Sequence, residues 1–323
     1  MQQMILDVDT GVDDALALIL AVRQPEWNLR AVTCVAGNTD LAGVVTNTMT
    51  VLDALGAQDI PVAAGASRPL LEDARNAAHV HGTDGMADLS LPKSRRRPET
   101  AHAVEVLRRE IFASPTPVTL VPLAPMTNIA LLLRTYPEVA ANIERIVFMG
   151  GSASVGNATP VAEFNTWHDP EAAHIVISSG VPATMFGLDV FYATTVEERD
   201  YRKLATSEDP ASRLAGHLLG HLAKVNAGDF RLQGIGAAGL GDAGAVCAVI
   251  DPEGLSTRAL PVEVSLAAGP ARGQTIVDHR TKSSEQRLAH GGARGTTIDV
   301  ALAVDEHRYR TLFLDALRSP DYG

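Results

Sequence analysis

The chain opens MQQMILDVDTGVDDALALILAV (residues 1–22), and four aspartates, Asp7, Asp9, Asp13 and Asp14, crowd into the middle of that stretch. They stand between a short apolar run at 4–8 and an amphipathic run at 15–22. The first has the pattern of a buried strand and the second that of a helix. The acids therefore fall at the carboxyl end of a strand and in the first turn of the next helix, the edge where open α/β sheets bind ligands. One acid at a helix start is ordinary: Asp13 can cap the helix, and the dipole favours negative charge there. That leaves Asp9 unexplained, and Asp7 falls in or just behind the strand end. Converging carboxylates repel one another unless a cation or protons neutralise them, and hard divalent cations choose oxygen ligands. On spacing alone, a metal site and a capped, hydrogen-bonded helix start stand level.

Composition narrows the classes. The chain has 323 residues, 46% of them apolar, enough for a sizeable core. A net charge of −11 argues against a nucleic-acid binder. The one basic cluster, Lys93 with Arg95, Arg96 and Arg97, lies between Pro92 and Pro98 and reads as a solvated loop. Cys34 and Cys247 sit in apolar surroundings and read as buried free thiols. No signal-peptide pattern precedes the first strand and no stretch is long and clean enough to span a bilayer. The expectation is a cytoplasmic protein with neither a nucleic-acid nor a membrane partner.

Strand patterns fall at 4–8, 30–35, 118–123, 145–149, 183–187 and 261–266, and helical patterns at 14–22, 41–55, 101–113, 127–135 and 170–178. Further helices are expected around 212–226 and 243–249, and loops at 234–244 and 283–297. The alternation predicts one α/β domain over 1–323, a largely parallel sheet covered on both faces.

Other polar residues gather at predicted strand ends. Asn38 ends VAGN, and His79 and His81 lie in HVHGTDG, although paired histidines are commonly plain surface residues. In LVPLAPMTNIA (120–130) Pro125 ends a strand, and the turn could leave a backbone carbonyl for a cation. GNATPVAEFN (156–165) offers Asn157, Glu163 and Asn165, groups suited to sugar hydroxyls. Asp242 precedes an apolar helix and could be a plain N-cap.

Together these segments resemble the inosine-uridine preferring nucleoside hydrolase family. DVDTGVDDALALILA is similar to its amino-terminal aspartate motif, with Thr10 where Pro is commoner. VAGN, HVHGTDG, LVPLAPMTNIA, FMGG, GNATPVAEFN, WHDPEAAHIV and GDAGAVCAVIDP follow in family order. The resemblance implies a Rossmann-like fold, with a mixed, largely parallel central sheet flanked by helices. It also implies one Ca²⁺ held by Asp9, Asp14, Asp242 and the Leu123 carbonyl. Asp13, Asn157, Glu163 and Asn165 match the ribose-binding set, with Asp242 shared between metal and substrate. Asn38 and His81 match positions near the water or the base, Met149 and Phe164 line the sugar pocket, and Asp7 is a buried supporting acid. The implied chemistry is hydrolysis of a ribonucleoside through an oxocarbenium-like state. Asp9 is the implied general base on a metal-activated water. A homodimer or homotetramer is implied as well.

The chain departs from the family at Gly241, where purine-active relatives often carry a leaving-group histidine before the distal aspartate. His217, His221, Asp229 and Arg231 are candidate replacements, although a helix shows such residues to solvent as a matter of course. Alternatively His81 or an ordered water activates the base, which suits a pyrimidine. The departure leaves open a hydrolase for an unusual riboside, or a non-catalytic calcium-dependent nucleoside binder. On this reading, a histidine installed at 241 raises turnover of inosine. The pair Asp7 and Asp9 also matches the D-x-D motif of haloacid dehalogenase phosphatases. That motif wants Thr or Val where Gly11 stands, and its downstream Lys and acidic pair are missing.

Overall fold

Alternation along the first strand sets up the site. In β1 (Gln2–Val8), Met4, Leu6 and Val8 enter one core and Ile5 the other, so Asp7 shares the face of Ile5. The computed structural model describes residues 1–228, 232, 237–280 and 295–318. Ten further strands follow: β2 (Trp27–Cys34), β3 (Val62–Ala64), β4 (Val118–Pro122), β5 (Ile143–Met149), β6 (Ala183–Phe186), β7 (Thr195–Val196), β8 (Ala238–Gly239), β9 (Leu255–Val264), β10 (Thr275–Val277) and β11 (Thr296–Val304). Among the described residues, nine of these eleven strands form one sheet in the order β10-β9-β11-β6-β5-β4-β1-β2-β3. β1 to β6 run parallel, β11 joins β6 in parallel, and β9 pairs antiparallel with both β11 and β10. The parallel part has the doubly wound order 3-2-1-4-5-6. Its strand order reverses between β1 and β4, where such sheets open a crevice for ligand.

Helices cover both faces, as the sequence predicts. On the face of Met4, Leu6 and Val8 lie α1 (Val12–Val22) and α2 (Leu41–Ala54). The short α3 (Ala78–His81) follows, and α4 (Ala103–Phe112) and α5 (Thr127–Thr135) pack on the opposite face. Next come α6 (Phe164–His168), α7 (Pro170–Ile177), α8 (Leu188–Phe191) and α9 (Glu198–Ala205). α10 (Pro210–Asn226), α11 (Asp242–Ile250) and the helix Glu306–Arg318 complete the layer against α1. No helix among the described residues is long and apolar enough to cross a membrane.

The carboxy-terminal part departs most from expectation. β9 begins at Leu255, not at 261, because its first half alternates little and faces solvent. β11 takes Thr296 and Thr297 from a stretch expected to be loop, and the rest of that stretch to residue 294 lies outside the described residues. The expected glycine-rich loop at 234–244 holds β8 and the start of α11, and its residues 234–236 also lie outside them.

Asp7 is fully enclosed, and burial pushes its pKa up to about 7. One carboxylate oxygen accepts the Thr33 hydroxyl at 2.6 Å and the Asn128 amide at 2.8 Å. The same amide nitrogen reaches the Cys34 carbonyl at 3.0 Å, and the Asn128 oxygen accepts the Ala66 amide at 2.9 Å. Asn128 therefore locks β1, β2 and the loop after β3 together beneath the site. Asn128→Ala leaves these buried groups unpaired and should cost about 1–3 kcal/mol in urea unfolding. An unchanged midpoint and slope would show the network to be dispensable.

Candidate active site

Asp9 lies just past the end of β1. It accepts the Asn38 backbone N–H at 2.8 Å and the Asn38 side-chain amide at 3.2 Å. That amide also donates to Asp14 at 3.1 Å. A Cβ on Gly37 would fall 1.9 Å from the Asp9 carboxylate, so glycine is what permits the approach. Asp14 turns back on its own loop, accepting the Gly11 N–H at 2.9 Å and the Asp9 N–H at 3.3 Å.

Two capping expectations are corrected here. Helix α1 starts at Val12 with Gly11 as its N-cap, so Asp14, not Asp13, satisfies the helix start. Asp13 is left to line the cavity, its Oδ1 buried with no hydrogen-bond partner. Gly241 holds the N-cap position of α11, so Asp242 stands one residue inside the helix and lines the same cavity. Oxygens of Asp13, Asp14 and Asp242 lie within 4.8 Å of one another. The metal set implied by the resemblance has Asp9 in place of Asp13; Asp9 adjoins this trio through Asn38 and Asp14.

Burial, reinforced by the neighbouring carboxylates, raises the Asp14 pKa to about 7 and holds Asp9 and Asp242 well above the usual carboxylate range. Among the described residues, no Lys or Arg lines the cavity to relieve that repulsion. An all-oxygen donor set, an orphaned buried oxygen and uncompensated negative charge fit a hard divalent cation. The Leu123 carbonyl, expected to be free, accepts the Asn165 amide at 2.9 Å. A carbonyl oxygen has a second lone pair, so it can still serve a cation.

Asn165 also donates to the Met149 carbonyl at 3.2 Å, which joins the ends of β4 and β5. Glu163 caps α6, accepting backbone N–H groups of Asn165 at 2.8 Å, Gly151 at 2.9 Å and Thr166 at 3.1 Å. Its burial still pushes the pKa to about 7. Asn157 sits at the exposed rim, its Oδ1 accepting the Phe164 N–H at 2.9 Å. These residues and Met149 line one cavity of about 450 Å³ with Asp9, Asp13, Asn38 and Asp242.

His81 forms part of the wall. Its Nδ1 accepts the Val12 N–H at 3.1 Å and lies 3.7 Å from Asp13. Burial lowers its pKa, outweighing the attraction of Asp13. An accepting Nδ1 leaves the proton on Nε2, so the ring is a neutral donor.

Sequence motifs single out few of the remaining wall residues individually. Asn76, Trp167, Phe191, Tyr192, Leu222 and Asn226 all reach the cavity. The available signal was scarcity: the chain is 4% aromatic, yet Phe164 pairs with Trp167 and Phe191 with Tyr192 at this one place. Of the candidate replacement acids, His217 and His221 do not line the cavity. His217 is exposed on α10, and the His221 ring bonds the Val80 carbonyl. Asp229 and Arg231 lie outside the described residues.

The order of the sheet and the acid-floored cavity at its switch point define an α/β enzyme with an oxygen-rich ligand site. A family model described as "Inosine-uridine preferring nucleoside hydrolase" matches residues 4–311, and the chain belongs to that family as an N-glycosyl hydrolase. It is 47% identical over 215 residues to a pyrimidine-specific ribonucleoside hydrolase RihA of Shewanella sp. (strain MR-4), covering 67% of this chain and 68% of that one. Among solved structures, a plant nucleoside hydrolase superposes with a TM-score of 0.89 at 27% identity, with 99% of both chains covered. A purine-preferring ribonucleoside hydrolase from Gardnerella vaginalis superposes at 0.86 with 32% identity and 98% of both chains covered.

Carboxylates whose pKa is higher folded than unfolded favour the folded state when protonated. That stability is present at low pH and is lost as pH rises from roughly 4 through 7. Chelated protein should therefore melt lower at about pH 8 than at about pH 5, and added Ca²⁺ should raise the melting temperature more at about pH 8. Equal Ca²⁺ shifts at both pH values, or none, would contradict a cation bound by these acids. The backbone at 241 argues against the expectation that a histidine there helps. Gly241 has φ +57°, and a Cβ there would meet Asp13 at 2.8 Å and Phe191 at 3.1 Å. Gly241→His should lower turnover of inosine and of uridine about 10-fold or more by displacing Asp13; a gain on inosine would refute this.

Proposed function

We propose that this chain hydrolyses the N-glycosidic bond of pyrimidine ribonucleosides, releasing ribose and free base, with Ca²⁺ held by Asp9, Asp14, Asp242 and the Leu123 carbonyl. The observation that carries the reading is the buried acidic floor, with no Lys or Arg lining it among the described residues, beneath a cavity of about 450 Å³ at the β1/β4 switch. When bound, the cation supplies the charge that lowers the pKa of an attacking water and fixes sugar hydroxyls. Asp9, already oriented by two hydrogen bonds from Asn38, accepts the proton of that water. Asp13, Glu163, Asn157 and Asn165 hold the ribose, and Met149 and Phe164 pack against it. Negative charge below the ring favours the cationic sugar that forms as the bond breaks. The His81 Nε2–H donates a hydrogen bond to the departing base.

A pyrimidine is favoured by two facts. Gly241 leaves the wall without the histidine expected of purine-active relatives, and relatives at 38–47% identity are named pyrimidine-specific. By resemblance alone, the reading includes a cytoplasmic homodimer or homotetramer.

Ribose release should be faster from uridine and cytidine than from inosine and adenosine. Asp9→Asn should keep a cooperative melt but lose ~10²–10⁴-fold in turnover on every substrate. Wild-type turnover by that variant would remove Asp9 as the base, and a preference for inosine would remove the pyrimidine assignment.

A further inference from the structure

The segment that carries His81 is strained. Ala87, Asp88 and Ser90 hold φ of 59°, 54° and 52°, the left-handed region that costs a non-glycine residue roughly 1–2 kcal/mol. Such a backbone persists only where its surroundings over-determine it. Here local bonds hold it, Asp88 accepting from Thr83 and Asp84 from the Met86 and Asp88 N–H groups, and two side chains from other elements anchor the segment on either side of His81. Asn47, buried on α2, donates from its amide nitrogen to the Thr10 carbonyl at 3.2 Å and to the Asp84 carbonyl at 2.9 Å. His221 on α10 meets the Val80 carbonyl at 2.8 Å, and since a carbonyl only accepts, its Nε2 carries the proton. Neither side chain lines the cavity.

These bonds tie the wall to the floor. Asn47 joins the turn after Asp9 directly to the loop after His81. His221 holds the residue just before His81. Two further bonds attach it: Val12 N–H to His81 Nδ1 at 3.1 Å sets the ring itself, and Ala77 N–H to the Asn38 carbonyl at 3.1 Å holds the start of the segment. We propose that Asn47 and His221 are positioning residues that hold the His81 Nε2–H at the departing base. The proposal rests on the leaving-group role of His81 given above. It assigns His221, a candidate acid in the sequence, an indirect part: it fixes the donor and does not supply the proton.

Leaving-group dependence separates positioning from bulk stability. 4-Nitrophenyl riboside carries a leaving group that departs without a hydrogen-bond donor, whereas uridine needs one. Asn47→Ala and His221→Phe should each lower kcat on uridine about 10-fold or more. Both should stay within about threefold of wild type on the nitrophenyl riboside, and His221→Gln, which keeps a donor at that reach, should recover most of the loss. His81→Ala is measured beside them and should show the same selectivity. Equal losses on both substrates, or no loss on uridine, would overturn the positioning pair. A selective loss in His81→Ala that the other variants do not share would overturn the pair alone. A His81→Ala variant that loses equally on both substrates would overturn the leaving-group role of His81 and the proposal with it.

Discussion

Mutual repulsion among buried carboxylates is the constraint on which the rest of this molecule turns. Asp9, Asp14 and Asp242 are enclosed at the carboxyl edge of the sheet, each pushed toward its protonated form by burial first and then by neighbouring carboxylates, Asp13 in every case. A stable fold does not ask for that arrangement, because removing the acids removes the repulsion. What it creates is a place where a small, doubly charged cation and an incipient sugar cation are both welcome. The neighbouring structure is built to tolerate the repulsion. Asn38 divides its amide between Asp9 and Asp14, Gly37 gives way to Asp9, and Asn128 braces Asp7 one layer below.

The fold supplies the convergence. Because β1 pairs with β2 on one side and β4 on the other, the chain leaves the sheet in opposite directions at this point. Asp9 and Leu123 thus come from strands distant in sequence and adjacent in space. Asn165 fastens the ends of β4 and β5 to the same floor. α11 brings Asp242 from beyond residue 240, its packing against α1 fixed by an almost unbroken apolar surface. Gly241 belongs to that design. Its positive φ and its closeness to Asp13 leave room for the acid and none for a larger side chain.

Much of this was legible in the sequence, and the legible parts share a physical cause. β1 and α1 are buried along almost their whole length, so their patterns are clean, and α5 runs from Thr127 to Thr135 as predicted. The acid floor was legible because charge at a strand end is expensive and therefore conspicuous. Which aspartate caps which helix was not, because Asp13 and Asp14 are neighbours whose roles differ only in the direction each side chain takes. β11 and the half-exposed start of β9 were missed because strands at the edge of burial lose their hydrophobic signature. The tethers Asn47 and His221 act through backbone carbonyls, and a carbonyl leaves no mark in a sequence.

The most direct test of the account is ribose release from uridine by metal-stripped protein, measured in chelator and after adding back excess Ca²⁺. The account predicts turnover that is lost in chelator and restored by Ca²⁺. Full turnover in chelator would contradict it, since the acidic floor would then work without the cation that its charge requires.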